Sequence, residues 1–382
     1  MTKPILFTYL NNLIAYSIFS LLKIILPKKN YSSGKSILFI NSGQIGDLIV
    51  SSILFDNEEF LFREYTKIIL LVKDDYQELF VAYHGKFLIE FYNYRKYKWN
   101  IFYKIKLLIK LRSVGFRYCF NLTAARGILN DEMAILSGAE ETLALNSDWK
   151  YLKKIFGKRM DSLYKEIIGK DHINEYEKHF TVLNYLVKSP VLSFTSRGNN
   201  LFFDLNNLNR RIVEPITQKE KLIVVAPYSS ELNRDWPIEK YNPLIGLLIN
   251  DGFKIILLGS KSQKRKLELF NVSNNEVVVL AGKLKLHEIP TLLNLATLFI
   301  GLDSGLTHIA LRLNIPTVAI IGGGMHGKFL PAPFISENIK YLSAGCEYFL
   351  CEWKCKYHVQ KCVADIQTDV VYASILTLLK KD

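Results

Sequence analysis

Two stretches of the chain share one pattern: an uninterrupted apolar run, a loop of small residues, then apolar positions three and four apart. The first is Ser36 to Asn41, followed by Ser42-Gly43-Gln44-Ile45-Gly46-Asp47 and an apolar-rich segment from Leu48 to Phe55. The second is Leu298 to Gly301, followed by Asp303-Ser304-Gly305 and by Ile309, Ala310 and Leu313 within Thr307–Leu313. A continuous apolar run of this length predicts a strand buried on both faces, as in a parallel sheet. Asp, Ser and Gly are turn formers, and the spacing after them predicts a helix. Pro316 cannot continue the second helix, and Thr317–Ile321 is again a buried-strand run. Each stretch is therefore strand, tight loop, helix.

Further apolar runs predict strands at Lys67–Val72, Phe87–Tyr92, Arg117–Leu122 and Thr142–Leu145. Lys221–Ala226, Lys254–Gly259 and Val277–Leu280 repeat the pattern later in the chain. Helical stretches alternate with them, and βαβα alternation means an α/β fold with parallel sheets. Ser193 to Gln218 is polar, asparagine-rich and weakly periodic, which marks a linker. The pattern predicts Rossmann-like domains at 34–195 and 219–382, joined through 196–218, with Thr368–Lys381 as a closing amphipathic helix.

Residues 1–33 precede this frame as a leader. Ile5 to Leu26 is mostly apolar and about as long as a membrane span. Yet Thr8, Asn11, Asn12, Ser20 and Lys23 gather on one side of a helix. A narrow polar stripe on an apolar helix suits a segment lying in the membrane interface, with Lys28-Lys29 meeting the headgroups. The alternative is a helix packed on the protein's own surface.

Charge says more about partners than length does. At 382 residues, 49% apolar and 13% aromatic, the chain can bury two cores and is not disordered. Its formal net charge of +13 points to an anionic partner. The basic residues cluster in the first half, as Arg95, Lys96, Lys98, Lys104, Lys106, Lys110, Arg112 and Arg117, then Lys150, Lys153, Lys154, Lys158, Arg159, Lys165 and Lys170. That placement suits an anionic acceptor or lipid headgroups. No zinc finger, RNA-recognition motif or helix-turn-helix cue accompanies the charge, so nucleic acid is not an expected partner. The apolar segment after Lys3 ends at Pro27-Lys28-Lys29 without a small-residue cleavage site, which argues against a signal peptide. Cys346, Cys351, Cys355 and Cys362, with His358 among them, lack the spacing of a zinc ribbon. Plain buried thiols and a structural metal or redox site both stand as readings.

A strand that feeds a helix through a Ser/Gly loop aims free backbone N–H groups and the positive end of the helix dipole above the sheet, a geometry that binds phosphate. The bland reading is that Asp303 and Ser304 only cap the helix. The wording of the stretch favours the first. D-S-G-x-x-H-x-A, then P-T-V-x-I-x-G, closely resembles the donor-site signature of glycosyltransferase family 9, the family of ADP-heptose:lipopolysaccharide heptosyltransferases. The matching residues are Asp303, Ser304, Gly305, His308, Ala310, Pro316 and Gly322. The Gly46-Asp47 pair resembles the family's N-terminal signature, whose aspartate is the proposed catalytic base; the alternative for Asp47 is a first-turn residue complementing the dipole. Arg234 stands just before Trp236-Pro237, where the family has a basic residue. Lys261, Ser262 and Gln263 stand where relatives often carry an acidic residue for the nucleotide ribose, and Glu268 is the first acid here.

The resemblance implies a GT-B arrangement, two Rossmann-like doubly wound domains facing a central cleft. It implies an inverting, metal-independent glycosyltransferase without a cofactor. The donor would be a nucleotide sugar, ADP-heptose or another, held by Arg234, Asp303, Ser304, Gly305, Thr307 and His308, with Asp47 as base. The acceptor would be lipopolysaccharide, another cell-surface glycan or a glycolipid. The protein would be cytoplasmic, peripheral on the inner membrane. Nothing resembles the Asp-x-Asp pair that holds manganese in metal-dependent transferases. Glycines of the Gly322–Gly327 loop would let the backbone approach a ligand, and His326 and Lys328 would reach phosphate or sugar. Two alternatives remain: a nucleotide-sugar hydrolase or epimerase on the same fold, and a non-catalytic membrane protein that binds sugar nucleotides or glycolipid. Neither glycine loop carries G-x-G-x-x-G with a following acid, which argues against a dehydrogenase.

Overall fold

A computed structural model describes residues 3–26, 34–147, 156–170, 174–187, 221–229, 234–270, 276–333 and 336–380. The expected linker at 196–218 and Lys28-Lys29 lie outside the described residues. The chain divides into two compact units, Met1–Gln77 with His84–Leu192, and Glu78–Tyr83 with Ser193–Asp382.

The first unit holds one parallel sheet of β1 (Ser36–Asn41), β2 (Lys67–Lys73), β3 (Leu88–Tyr92), β4 (Tyr118–Asn121), β5 (Glu141–Leu145) and β6 (Glu166–Ile168), in the order β3-β2-β1-β4-β5-β6. All six residues of β1 are buried, because neighbouring strands flank it and helices cover both faces. Leu38 and Ile40 of β1 meet Tyr97, Leu111, Met133 and Ala134 in one core. Those partners come from α3 (Tyr94–Trp99), α4 (Ile101–Val114) and α5 (Ile128–Ile135). Asn93 and Asn100 start α3 and α4 by accepting from Lys96 N and Tyr103 N, and Gly115 ends α4 at φ 76°.

The second unit repeats the plan. Its strands are β7 (Lys221–Ala226), β8 (Phe253–Leu257), β9 (Val277–Val279), β10 (Leu298–Leu302), β11 (Thr317–Ile320) and β12 (Ile339–Leu342), in the order β12-β11-β10-β7-β8-β9. Counted from β7, this is the 3-2-1-4-5-6 order of the first unit. Strand order reverses between β1 and β4 and between β7 and β10, and ligands of such sheets bind beyond the carboxyl ends at those points. The closing helix, α8 (Thr368–Leu379), contributes Val371, Ile375 and Leu378 to the second unit's core. Trp236, buried and 4.5 Å from Tyr241 edge to face, donates Nε1–H to the Ile366 carbonyl and so anchors the chain leading into α8.

The leader is a helix, α1 (Lys3–Ile25), and no helix among the described residues is long and apolar enough to cross a membrane. Phe19, Leu22 and Leu26 are buried with Leu108, Ile128, Leu136, Phe156 and Met160, so one side of α1 belongs to the first unit's core. Its opposite side, with Leu10, Leu13, Ile14, Leu21, Ile24 and Ile25, stays exposed. The apolar leader is thus two-faced, and packing on the protein uses only one face.

Candidate active site

At the carboxyl end of β1 the chain turns through Ser42-Gly43-Gln44 into α2 (Ile45–Val50), and Asp47 lies in the first turn of that helix. Asp47 Oδ2 accepts from Gln44 N at 2.7 Å. Gly43 is required here, since a Cβ in its place would lie 2.4 Å from the Asp47 Cβ. Asn41 fixes the turn from below: its Oδ1 accepts from Gly43 N at 2.9 Å, and its Nδ2 donates to the Asp47 carbonyl at 3.1 Å and to Ser51 Oγ at 2.7 Å. Ser51 in turn is 2.8 Å from Nε2 of His179, on α6 (Glu175–Val187). His179 Nδ1 lies 2.7 Å from the Glu175 carbonyl, so Nδ1 carries the proton and Nε2 accepts from Ser51. Burial pushes the His179 pKa down to about 4, which keeps the ring neutral.

Around Asp47 stand two further groups. Lys73, at the end of β2, is close enough to interact with Asp47, and burial lowers its pKa. Tyr76 donates to Gln44 Oε1 at 3.0 Å; burial, then Asp75 and Asp47, push its hydroxyl up to about 12. Neither is near Asp47 in sequence pattern, and no local motif announces them or His179.

The second unit assembles the remaining residues at its own reversal point. β10 ends at Leu302, Asp303 is buried, and α7 (Gly305–Arg312) begins with Ser304 as its N-cap. The first N–H groups of α7 have no partner within the helix, and the positive end of its dipole lies at Ser304. Thr307 is buried and its hydroxyl donates to the Leu302 carbonyl, tying the helix to β10. Arg234 Nη1 donates to the Asp303 carbonyl at 2.8 Å and lies 3.7 Å from Asp303 Oδ2. Burial raises the Asp303 pKa, and Arg234 and His326 pull it back down. His308 packs edge to face on Phe329 at 5.8 Å, and burial, then the Arg234 charge, push its pKa down to about 3. It is therefore a neutral, buried ring rather than a cation.

The glycine loop has a different use from the one its composition suggests. A Cβ at Gly322 or Gly324 would lie 2.6 or 2.4 Å from the Trp353 ring, and one at Gly323 would lie 2.8 Å from Phe349. These glycines make room for the protein's own aromatic side chains. The same Trp353 ring lies under the Arg234 guanidinium at 5.0 Å, and His326 packs edge to face on Phe349 at 5.2 Å. Trp353 and Phe349 lie in the cysteine segment. There Cys362 takes an N–H from Gly323 and interacts with Cys346, Cys351 and Cys355, while burial raises its thiol pKa. All are free thiols, and no group among the described residues is arranged to hold a metal ion. Gln263 donates to the Ser229 carbonyl at 3.0 Å, in the loop after β7, while Glu268 is exposed beside Lys264.

The profile of glycosyltransferase family 9 (heptosyltransferase) matches residues 125–348. The chain belongs to glycosyltransferase family 9. The match takes in Arg234 and Asp303–His308 and leaves Asp47 outside it. Lipopolysaccharide heptosyltransferase 3 of Escherichia coli is 26% identical over 140 residues, which is 36% of this chain and 40% of that relative. The glycosyl transferase family 9 of Veillonella parvula superposes over 92% of this chain and 100% of its own, at TM-score 0.71 and 16% identity. The E. coli ADP-heptose lps heptosyltransferase II does so over 91% and 99%, at TM-score 0.66 and 17% identity. These two likenesses are of fold, the GT-B class with two Rossmann-like units. The sequence alignment spans less than half of the curated relative.

Proposed function

We propose that this family 9 chain is an inverting, metal-independent glycosyltransferase. In this reading it moves a heptose, or a sugar like it, from a nucleotide-sugar donor such as ADP-heptose to a lipopolysaccharide or other cell-surface glycan. It works at the cytoplasmic surface of the inner membrane as a peripheral protein. The observation that carries the reading is the pairing of Arg234 with Asp303 at the start of α7. A guanidinium and a helix N-terminus at a sheet's reversal point form a diphosphate seat.

The acceptor hydroxyl oxygen bonds to the anomeric carbon as the bond from that carbon to the diphosphate breaks. Asp47 takes the hydroxyl proton, and the nucleoside diphosphate leaves with the electron pair. One displacement inverts the anomeric carbon. Negative charge grows on the departing diphosphate, where Arg234 and the amides of the α7 start lower the barrier. That supply of positive charge is the reason for reading the transfer as metal-independent. His308, held neutral, positions the helix and adds no charge.

The test measures ADP release from ADP-heptose with and without a lipopolysaccharide-type acceptor, in EDTA, with NMR of the product's anomeric configuration. Acceptor-dependent, EDTA-resistant release with inversion is expected. Acceptor-independent ADP release makes the protein a hydrolase, conversion of the donor to an epimeric nucleotide sugar without ADP release makes it an epimerase, and binding without turnover makes it a binding protein. Loss in EDTA with recovery in magnesium or manganese would refute metal independence.

A further inference from the structure

Half of the exposed large apolar side chains among the described residues lie on three helices of the first unit: α1, α3 and α4. Those helices have 23, 6 and 14 residues in a chain of 382. On α1, Leu10, Leu13, Ile14, Leu21 and Ile24 recur at helical spacing and form one outward stripe, with Ile24 82% exposed. On α3 and α4, Trp99 is 72% exposed and Phe102 82%, with Ile101 and Ile109 beside them. The three helices are neighbours. Phe19 and Leu22 of α1 share a core with Leu108 of α4, and Asn11, Ile14 and Ile18 line one cavity with Lys98 and Trp99.

The charge on these helices has one sign. None of the three contains Asp or Glu. Lys23, Arg95, Lys96 and Lys106 are exposed on them, and Arg159 lies over the Tyr16 ring of α1 at 5.1 Å. An apolar patch this concentrated marks an interaction surface. Lys110 of α4 is paired with Glu90 at 2.6 Å, but the remaining excess of positive charge on the helices disfavours a second copy of the same face, since like charges would meet. It favours an anionic bilayer, whose headgroups neutralise the lysines while the acyl boundary takes the apolar side chains.

We propose that α1, α3 and α4 together form the face on which the protein docks to an anionic lipid bilayer, with Trp99, Phe102 and Ile24 as inserted side chains. Tryptophan suits the headgroup level because its ring is apolar with one polar edge. The leader alone is then insufficient, because its inner side is already used in the core. The inference deepens the peripheral-membrane part of the reading above and is independent of the catalytic part.

The test is flotation of the full chain with vesicles of phosphatidylglycerol and phosphatidylcholine, against phosphatidylcholine alone. The wild type is expected to float with the anionic vesicles only, with a blue shift of tryptophan emission. Trp99 is strongly exposed, so it is the residue whose environment changes most. Trp99→Phe should retain flotation and lose most of the blue shift. The double variant Trp99→Ser, Phe102→Ser should bind anionic vesicles about tenfold more weakly, as expected for two lost apolar anchors. Its circular dichroism and ADP affinity should match the wild type, since both side chains are exposed. Absence of binding to anionic vesicles, or equal binding by the double variant, overturns the proposal. So does a dimer in solution that the double variant abolishes. Vesicle binding without ADP binding would sink the catalytic reading and leave this face standing.

Discussion

Arg234 and Asp303 are joined twice. The guanidinium donates to the Asp303 backbone carbonyl at 2.8 Å and stands 3.7 Å from its carboxylate. The first contact ties the loop after β7 to the end of β10. The second places a cation beside a buried carboxyl whose pKa burial raises. With the Trp353 ring 5.0 Å beneath it, the guanidinium is held before any ligand arrives. A pre-held cation loses little rotamer entropy on binding.

Truncating Arg234 should therefore weaken ADP. A charge-assisted hydrogen bond is worth about 1.5–3 kcal/mol, so Arg234→Ala should lose roughly 10–100-fold in affinity. Arg234→Lys should fall between, because a point charge replaces a planar fork. Calorimetric titration with ADP checks this. A folded Arg234→Ala variant with unchanged affinity would remove the residue from the donor site.

The central strands were legible because their apolar runs are long: Ser36–Asn41, Lys221–Ala226 and Leu298–Leu302 are buried throughout or nearly so. The edge strands β6 and β12 were not. Glu166–Ile168 and Ile339–Leu342 have three and four residues interrupted by Glu166 and Lys340, below what periodicity resolves, whereas the equally short edge strand β9 is an unbroken run of valines and was legible. The Asp303–His308 stretch was legible because strand, turn and helix are local. The contacts that hold it are not, for Trp353 reaches Arg234 from far along the chain. His179 meets Ser51 across 128 positions. Gly322–Gly324 shows the converse, since composition reads as ligand approach and the space belongs to Trp353 and Phe349.

Asp47→Asn keeps the size of the side chain and removes the carboxylate proposed as the base. Transfer should fall about 10²–10⁴-fold, with ADP affinity nearly unchanged, because the residues proposed to hold the donor lie in the other unit. Single-turnover assays beside ADP titrations separate the two. Near-normal turnover would leave Asp47 as a helix-start residue only.

His179 makes stability pH-dependent in a known direction. Its folded pKa is about 4 against an ordinary 6.5, so between these values the unfolded chain binds a proton that the native one does not. The stabilisation is full above pH 6.5 and is lost as pH falls toward 4. His179→Gln can keep the bond to Ser51 but does not titrate. Wild-type stability relative to that variant should shrink by about 2 kcal/mol between pH 6.5 and 4.5, measured by urea unfolding. A gap that stays constant would show that the ring is not held neutral.

Gly324 sits against the Trp353 ring. A methyl group there would lie 2.4 Å from Trp353 Cδ2, too close to tolerate without movement. The loop cannot simply back away, because Leu350 N and Glu352 N bond the Gly323 and Gly324 carbonyls at 2.7 and 2.8 Å. Nor is the facing segment free to adjust, with Leu350, Glu352 and Trp353 already at φ 63°, 51° and 63°. The indole must then leave its place under Arg234. Gly324→Ala should cost about 1–3 kcal/mol of stability, as overpacking does, and should also weaken ADP because the guanidinium loses its platform. Trp353→Ala removes the obstacle. In that background Gly324→Ala should cost well under 1 kcal/mol, a non-additivity expected only of residues in contact. If Gly324→Ala costs the same in both backgrounds, the glycine is not there to accommodate Trp353. In that event its conformational freedom, or a ligand, would have to account for it.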